Sequence, residues 1–70
     1  MNKQLEDKIN RTMDLLLECL YQATYNYKKP GQIDTNGISL YEDIAEFLVM
    51  HNKLTYIKDR FYKINDFNYN

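Results

Sequence analysis

Few side chains in this chain of 70 residues are suited to chemistry of their own. There is one histidine, His51, and one cysteine, Cys19. His51 alone titrates near neutrality without help. Its wheel position is the C-terminal end of the buried face of a helix, which predicts a packed or capping imidazole favoured by the helix dipole. Cys19 sits beside an apolar helical stripe and is expected as a small buried hydrophobe. A structural zinc site needs several Cys and His residues in paired spacing, and these two cannot supply it. The pair Glu42–Glu46 falls on a solvated helix face, with no neighbour to tune it for acid–base work. Gly31 and Gly37 are the only glycines, so no glycine-rich phosphate loop exists.

The segment Asp34-Thr35-Asn36-Gly37 imitates part of a calcium loop. With Gly37 at loop position six, Gln32 falls at position one, where a carboxylate is needed, and Asp43 at position twelve, where a bidentate Glu is usual. The expectation is therefore no enzyme, no metal and no cofactor.

Binding chemistry is better represented. Tyr56, Lys58, Arg60, Phe61 and Lys63 gather aromatics and cations in one short stretch. Such a mixture can stack bases and follow phosphates. It equally suits a protein interface, where tyrosine offers large area, few rotors and a polar tip. Seven tyrosines strengthen the second reading. Charge points the same way. Nine basic residues meet ten acidic ones, for a net charge of −1. A protein that binds duplex DNA alone usually carries a basic face, because phosphate neutralisation supplies most of the affinity.

These residues must be held by a small set of elements. Leu5, Ile9, Met13, Leu16, Leu17, Leu20, Ala23 and Tyr27 recur at three- and four-residue steps, which predicts a helix over 3–27 with one apolar stripe. Asp7, Arg11, Asp14, Glu18 and Gln22 lie opposite, and Asp7–Arg11 has the spacing of an ion pair. Leu15 and Tyr25 fall on the polar face, either as isolated apolar residues or as contact sites. Lys28-Lys29-Pro30-Gly31 is expected to stop the helix. Residues 28–37 read as a loop with an Asn36-Gly37 turn and a short strand at Gln32-Ile33-Asp34.

A second helix is predicted over 40–51. Ser39 would cap it in a capping box with Glu42. Leu40, Tyr41, Ile44, Ala45, Phe47 and Leu48 would form its buried face, with Val49 and Met50 partly exposed and Asn52 as the C-terminal cap. A β-hairpin follows over 54–64, with its tip at Lys58-Asp59 or Asp59-Arg60. Either regular register puts Thr55, Ile57, Tyr62 and Ile64 on one face and Leu54, Tyr56, Lys58, Phe61 and Lys63 on the other. A hairpin serving one core alternates apolar and polar. This one is apolar or aromatic on both sides, and Tyr56 and Phe61 with their cations are expected to face a partner.

The chain length allows one domain, expected over 1–64, with 65–70 as a flexible tail. One cysteine rules out a disulfide framework and fits a reducing compartment. Met1-Asn2-Lys3-Gln4 leads into a charged amphipathic stretch, which predicts no secretory signal, no membrane span and a cytoplasmic location. Asn, Lys, Ile and Tyr have AT-rich codons and point to a low-GC bacterium or its phage.

The run Glu42-Asp43-Ile44-Ala45-Glu46-Phe47-Leu48, followed by Leu54 through Ile64, resembles the helix-plus-wing half of winged helix domains. The resemblance covers about half the chain. It departs from the family in having no separate basic recognition helix before the hairpin. The expected fold is α+β: a long N-terminal helix, a second helix and a C-terminal β-hairpin in a minimal winged-helix-like arrangement. The expected function is an accessory protein docked on a larger protein partner, in DNA replication or transcription of a phage or mobile element. Nucleic acid would then be met mainly through the complex. Alternatives are a DNA-binding regulator that dimerises through the first helix, and a phage-type inhibitor of a host protein.

Overall fold

The computed structural model describes residues 2–68 and is α+β, with two helices and a three-stranded antiparallel sheet. The elements run α1 (Lys3–Ala23), β1 (Gln32–Asp34), α2 (Ser39–Met50), β2 (Leu54–Lys58) and β3 (Phe61–Ile64). The sheet order is β1-β3-β2, so the short strand between the helices pairs with the last strand of the hairpin. Helix α1 lies against α2 and β1, and α2 against β2.

Helix α1 begins at a side-chain cap. The Asn2 Oδ1 accepts from the Gln4 and Leu5 N–H groups at 2.7 and 3.4 Å, which satisfies donors that the first turn leaves free. The helix ends at Ala23, four residues before the expected end. The cause lies in Thr24 and Asn26, whose side chains bond nearby backbone and compete with helix continuation. The Thr24 hydroxyl donates to the Leu20 carbonyl at 2.9 Å, and the Asn26 Oδ1 accepts from the Lys28 N–H at 3.0 Å. Pro30-Gly31 then forms a tight turn. The Gln32 N–H reaches the Lys29 carbonyl at 3.2 Å, with Gly31 at φ 79°, a conformation that glycine adopts without a Cβ clash. The Gly31 N–H donates to the Tyr21 hydroxyl at 2.9 Å, locking this turn to α1.

Helix α2 starts without the expected capping box. Ile38 holds the cap position, no side chain bonds the free N–H groups, and Ser39 is already helical. The reason is the preceding turn. Asn36 and Gly37 both have positive φ, and the Ile38 N–H closes on the Thr35 carbonyl at 3.0 Å. This delivers the chain to the helix one residue early. At the other end His51 is the cap and Asn52 takes the left-handed conformation, φ 61°. The Asn52 N–H bonds the Val49 carbonyl and the Lys53 N–H bonds the Leu48 carbonyl, at 3.1 and 2.9 Å. Such paired bonds close a helix C-terminus around one left-handed residue.

The core joins both helices to the sheet. Met13, Leu20, Ile33, Ala45, Leu48, Leu54 and Tyr62 are buried, and Leu17, Tyr21, Tyr41, Ile44, Val49 and Ile64 pack around them. Several expected core positions are not covered. Leu5, Ile9, Ala23, Tyr27, Leu40 and Phe47 are exposed, as are Cys19 and His51. Geometry explains the first two. At about 1.5 Å per residue, the 21 residues of α1 outrun the 12 of α2. The radius of gyration is 12.4 Å, against about 11 Å for a compact chain of this length. Cys19 and His51 sit on the outer sides of their helices, and the His51 ring leans on Phe47 at 4.6 Å.

Among the described residues two ion pairs form, Lys53–Asp14 at 2.9 Å and Arg60–Asp34 at 2.7 Å. The expected Asp7–Arg11 pair does not. Asn65 is tied to the domain: its side chain accepts from the Thr55 hydroxyl and donates to the Asn52 carbonyl. Phe67 sets its ring edge-on to Tyr21 at 5.7 Å. Residues 69 and 70 of the expected tail lie outside the described residues. No described helix is long and apolar enough to cross a membrane.

Candidate functional site

The hairpin does not assemble the face expected of it. Its register pairs Leu54 with Ile64, Thr55 with Lys63, Tyr56 with Tyr62 and Lys58 with Phe61. One residue, Ile57, is extra between Tyr56 and Lys58. A bulge of this kind reverses which side chains share a face beyond it. The turn sits at Asp59-Arg60, with Asp59 at φ 51°.

The consequence is a regrouping. Tyr56 stands with Leu54, Tyr62 and Ile64 on the face that meets α2, and its ring meets Tyr62 edge-on at 5.3 Å. Lys63 pairs with Thr55 on the opposite face. Phe61 lies beyond the bulge and carries two cations, Lys29 Nζ and Arg60 Cζ, each 5.4 Å from its centroid. Arg60 is further engaged by Asp34. The proposed cluster of Tyr56, Lys58, Arg60, Phe61 and Lys63 is therefore divided between two faces. Leu15 and Tyr25 are both exposed, Tyr25 edge-on to Tyr21 at 5.4 Å.

Two surface features remain after this regrouping. The first is an apolar groove where α1 passes α2, a space of about 420 Å³ lined by Leu5, Ile9, Thr12, Met13, Leu16 and Phe47, with the stem of Lys8 at its edge. Every residue from Asn2 to Thr12 is exposed, and the first buried side chain of α1 is Met13. Leu5, Ile9, Met13 and Leu16 follow helical spacing and present one continuous apolar line. The periodicity of the sequence located this line but not its exposure.

The second feature is a cleft of about 490 Å³ between α2 and the hairpin, lined by Glu42, Glu46, Val49, Met50, Tyr56, Asp59 and Tyr62. Burial in this wall pushes the Tyr62 phenol up from its ordinary value of 10.0, and the Glu46 and Glu42 carboxylates add to the shift. The hairpin bulge hid this site from the sequence, because it decides that Tyr56 and Tyr62 share a face.

Among the described residues no cluster of three His, Cys, Asp or Glu side chains could hold a metal ion. Compared with known family models, curated proteins and solved structures, the chain matches none.

Proposed function

We propose that this chain is a non-enzymatic docking module that joins a larger protein through the groove on the first half of α1. One observation carries the reading: the line Leu5, Ile9, Met13, Leu16 with Phe47 ends in open solvent, with no segment of the described chain laid over it. Apolar side chains at three- and four-residue steps on one helix are matched by a second amphipathic helix laid alongside. The occupant proposed is such a helix from the larger protein. The resemblance of α2 and the hairpin to the wing half of winged helices supports a partner in DNA replication or transcription of a phage or mobile element. Whether docking assists or blocks that partner, the contact is the same.

A second reading rests on the same line, which is able to meet its own copy about a twofold axis. It would make the chain a dimer and return the DNA-binding regulator to consideration.

Affinity capture from the native host, with wild type and Leu5→Asp/Ile9→Asp, tests both. Docking predicts a larger protein that wild type retains, that the variant loses, and that forms a complex from purified components. Equal retention by the variant overturns it. Light scattering that shows a dimer of the wild type, dispersed by Ile9→Asp, favours the second copy instead.

A further inference from the structure

The sheet buries Ile33, Leu54 and Tyr62 on the side of the core. Its other side is a separate surface. Cross-strand partners share a face, so the registers put Gln32, Lys63 and Thr55 in one row of that outer face, and Asp34, Phe61 and Lys58 in the next. Thr55, Lys58 and Lys63 are exposed there. Lys29 joins them from the loop before β1, its ammonium 5.4 Å from the Phe61 centroid. Most cations of the chain are dispersed over its helices and loops, but these three lysines converge. Among the described residues none of the three forms an ion pair. Asp34 is the one carboxylate in the two rows, and Arg60 neutralises it at 2.7 Å. The outer face is thus basic in a chain whose net charge is −1.

A second observation is independent of charge. Beside Phe61 lies a hollow of about 200 Å³, with Asn26, Lys29 and Gln32 in its lining. It is large enough for one nucleobase and too small for a base pair. The half-buried Phe61 ring forms an aromatic wall. Asn26 and Gln32 carry amides, which both donate and accept, as base edges do. Lys29 and Arg60 rest against the same ring. Such contacts are weak at an exposed site, so a phosphate can draw off the Lys29 ammonium on its flexible stem.

Lysines around an aromatic ring and a base-sized hollow fit a strand whose bases are unpaired. An acidic peptide would use the lysines and leave the ring and the amides idle. A duplex hides the faces of its bases in the stack, and a patch about 10 Å across three strands meets few of its phosphates. We propose that the outer face of the sheet binds a short stretch of single-stranded nucleic acid. Phe61 stacks on one base, Asn26 and Gln32 bond its edge, and Lys29, Lys58 and Lys63 neutralise phosphates. The core separates this face from the α1 groove, so either contact can fail alone.

The test is titration of the full chain, observed by amide NMR and fluorescence anisotropy, with single-stranded octamers of mixed sequence, one DNA and one RNA. An abasic DNA octamer, the duplex of the same sequence and a hexaglutamate peptide serve as comparisons. Either octamer should give saturable shifts at Gln32, Phe61 and Lys63. Three phosphate contacts on a single strand give a logarithmic salt slope of about −2. Affinity should therefore fall about twentyfold between about 50 and 200 mM salt. Lys58→Gln/Lys63→Gln, at two exposed positions, should reduce the slope to about −0.7. Lys3→Gln/Arg11→Gln removes the same charge from α1 and should leave it at about −2. Phe61→Leu should keep the slope and weaken binding at least about fivefold, the loss of one stacked base. Absence of saturable shifts with both octamers overturns the proposal. So does abasic DNA, duplex or hexaglutamate bound as tightly as the octamers, or an equal loss of slope in the two double variants.

Discussion

Amide exchange along α1 should divide the helix in two. Its first ten or so residues, about 15 Å of helix, carry no buried side chain before Met13. They are held by their own hydrogen bonds and the Asn2 cap. An isolated helix of that length is marginal in water, so it should open for about 0–1 kcal/mol. That gives protection within about tenfold of a free peptide. From Met13 to Ala23 the helix is anchored by Met13 and Leu20 and flanked by Leu17 and Tyr21. These amides should open only with the whole domain. A core of this size supplies roughly 3–5 kcal/mol, which is a protection of roughly 10²–10⁴ at 1.4 kcal/mol per factor of ten. Ile9→Gly removes about 0.5 kcal/mol of helix propensity. It should erase the remaining protection of the first half and leave the second half unchanged. Hydrogen exchange by NMR, at two protein concentrations, reads both halves at once. Uniform protection from end to end, independent of concentration, would refute the claim that the groove is uncovered in the monomer. Uniform protection that fades on dilution would show a second copy lying in it.

Four further outcomes follow from particular contacts. Ser39→Ala should leave the thermal midpoint nearly unchanged, where a true cap would cost about 1 kcal/mol, because Ser39 makes no capping bond; a loss of that size would restore the capping box. Thr35→Val should raise stability in urea by about 1 kcal/mol, since the Thr35 hydroxyl is buried without a partner; a lower midpoint would show that the hydroxyl is satisfied in solution. Tyr62 has a folded pKa raised above 10.0, so its contribution to stability is complete below that pH and is lost as pH rises through the folded value. Stability should therefore decline above pH 10, and less so in Tyr62→Phe; equal decline in both would remove the assignment. Finally, the purified chain should give no sequence-specific shift of duplex DNA at physiological salt, because Arg60 is paired with Asp34 and the remaining cations are scattered among ten carboxylates. A tight, specific complex formed alone would favour the regulator.

The parts of the fold that periodicity can reach were legible. A three-to-four-residue repeat of Leu, Ile and Met marks α1 and α2, and β-branched and aromatic runs mark the hairpin. Asn36-Gly37 and Pro30-Gly31 mark the turns that frame β1. Periodicity shows that a helix has an apolar side; it does not show that anything covers it. Leu5 and Ile9 repeat as regularly as Met13 and Leu20, yet α2 is too short to reach them. The end of α1 was missed for a different reason. Tyr27 continues the repeat, but Thr24 and Asn26 had already turned their side chains onto the backbone.

The candidate site depends on a single extra residue. A regular hairpin, with either turn considered, separates Tyr56 from Tyr62. The bulge at Ile57 brings them together, and everything N-terminal to it in β2 changes sides. No residue type at that position announces a bulge, since isoleucine is a favoured strand residue. What stabilises the shifted register is the arrangement around it. It buries Leu54 with Ile64 against α2, and leaves Thr55 outside to bond Asn65. The unbulged register would turn Leu54 outward and bring Thr55 to the core. Burial of a leucine contributes about 1.5–3 kcal/mol, a large share of what so small a core can supply. The position of Tyr56 beside the acids of α2 thus follows from where Leu54 must go, and the cleft between α2 and the hairpin is a consequence of core packing at the far end of the same strand.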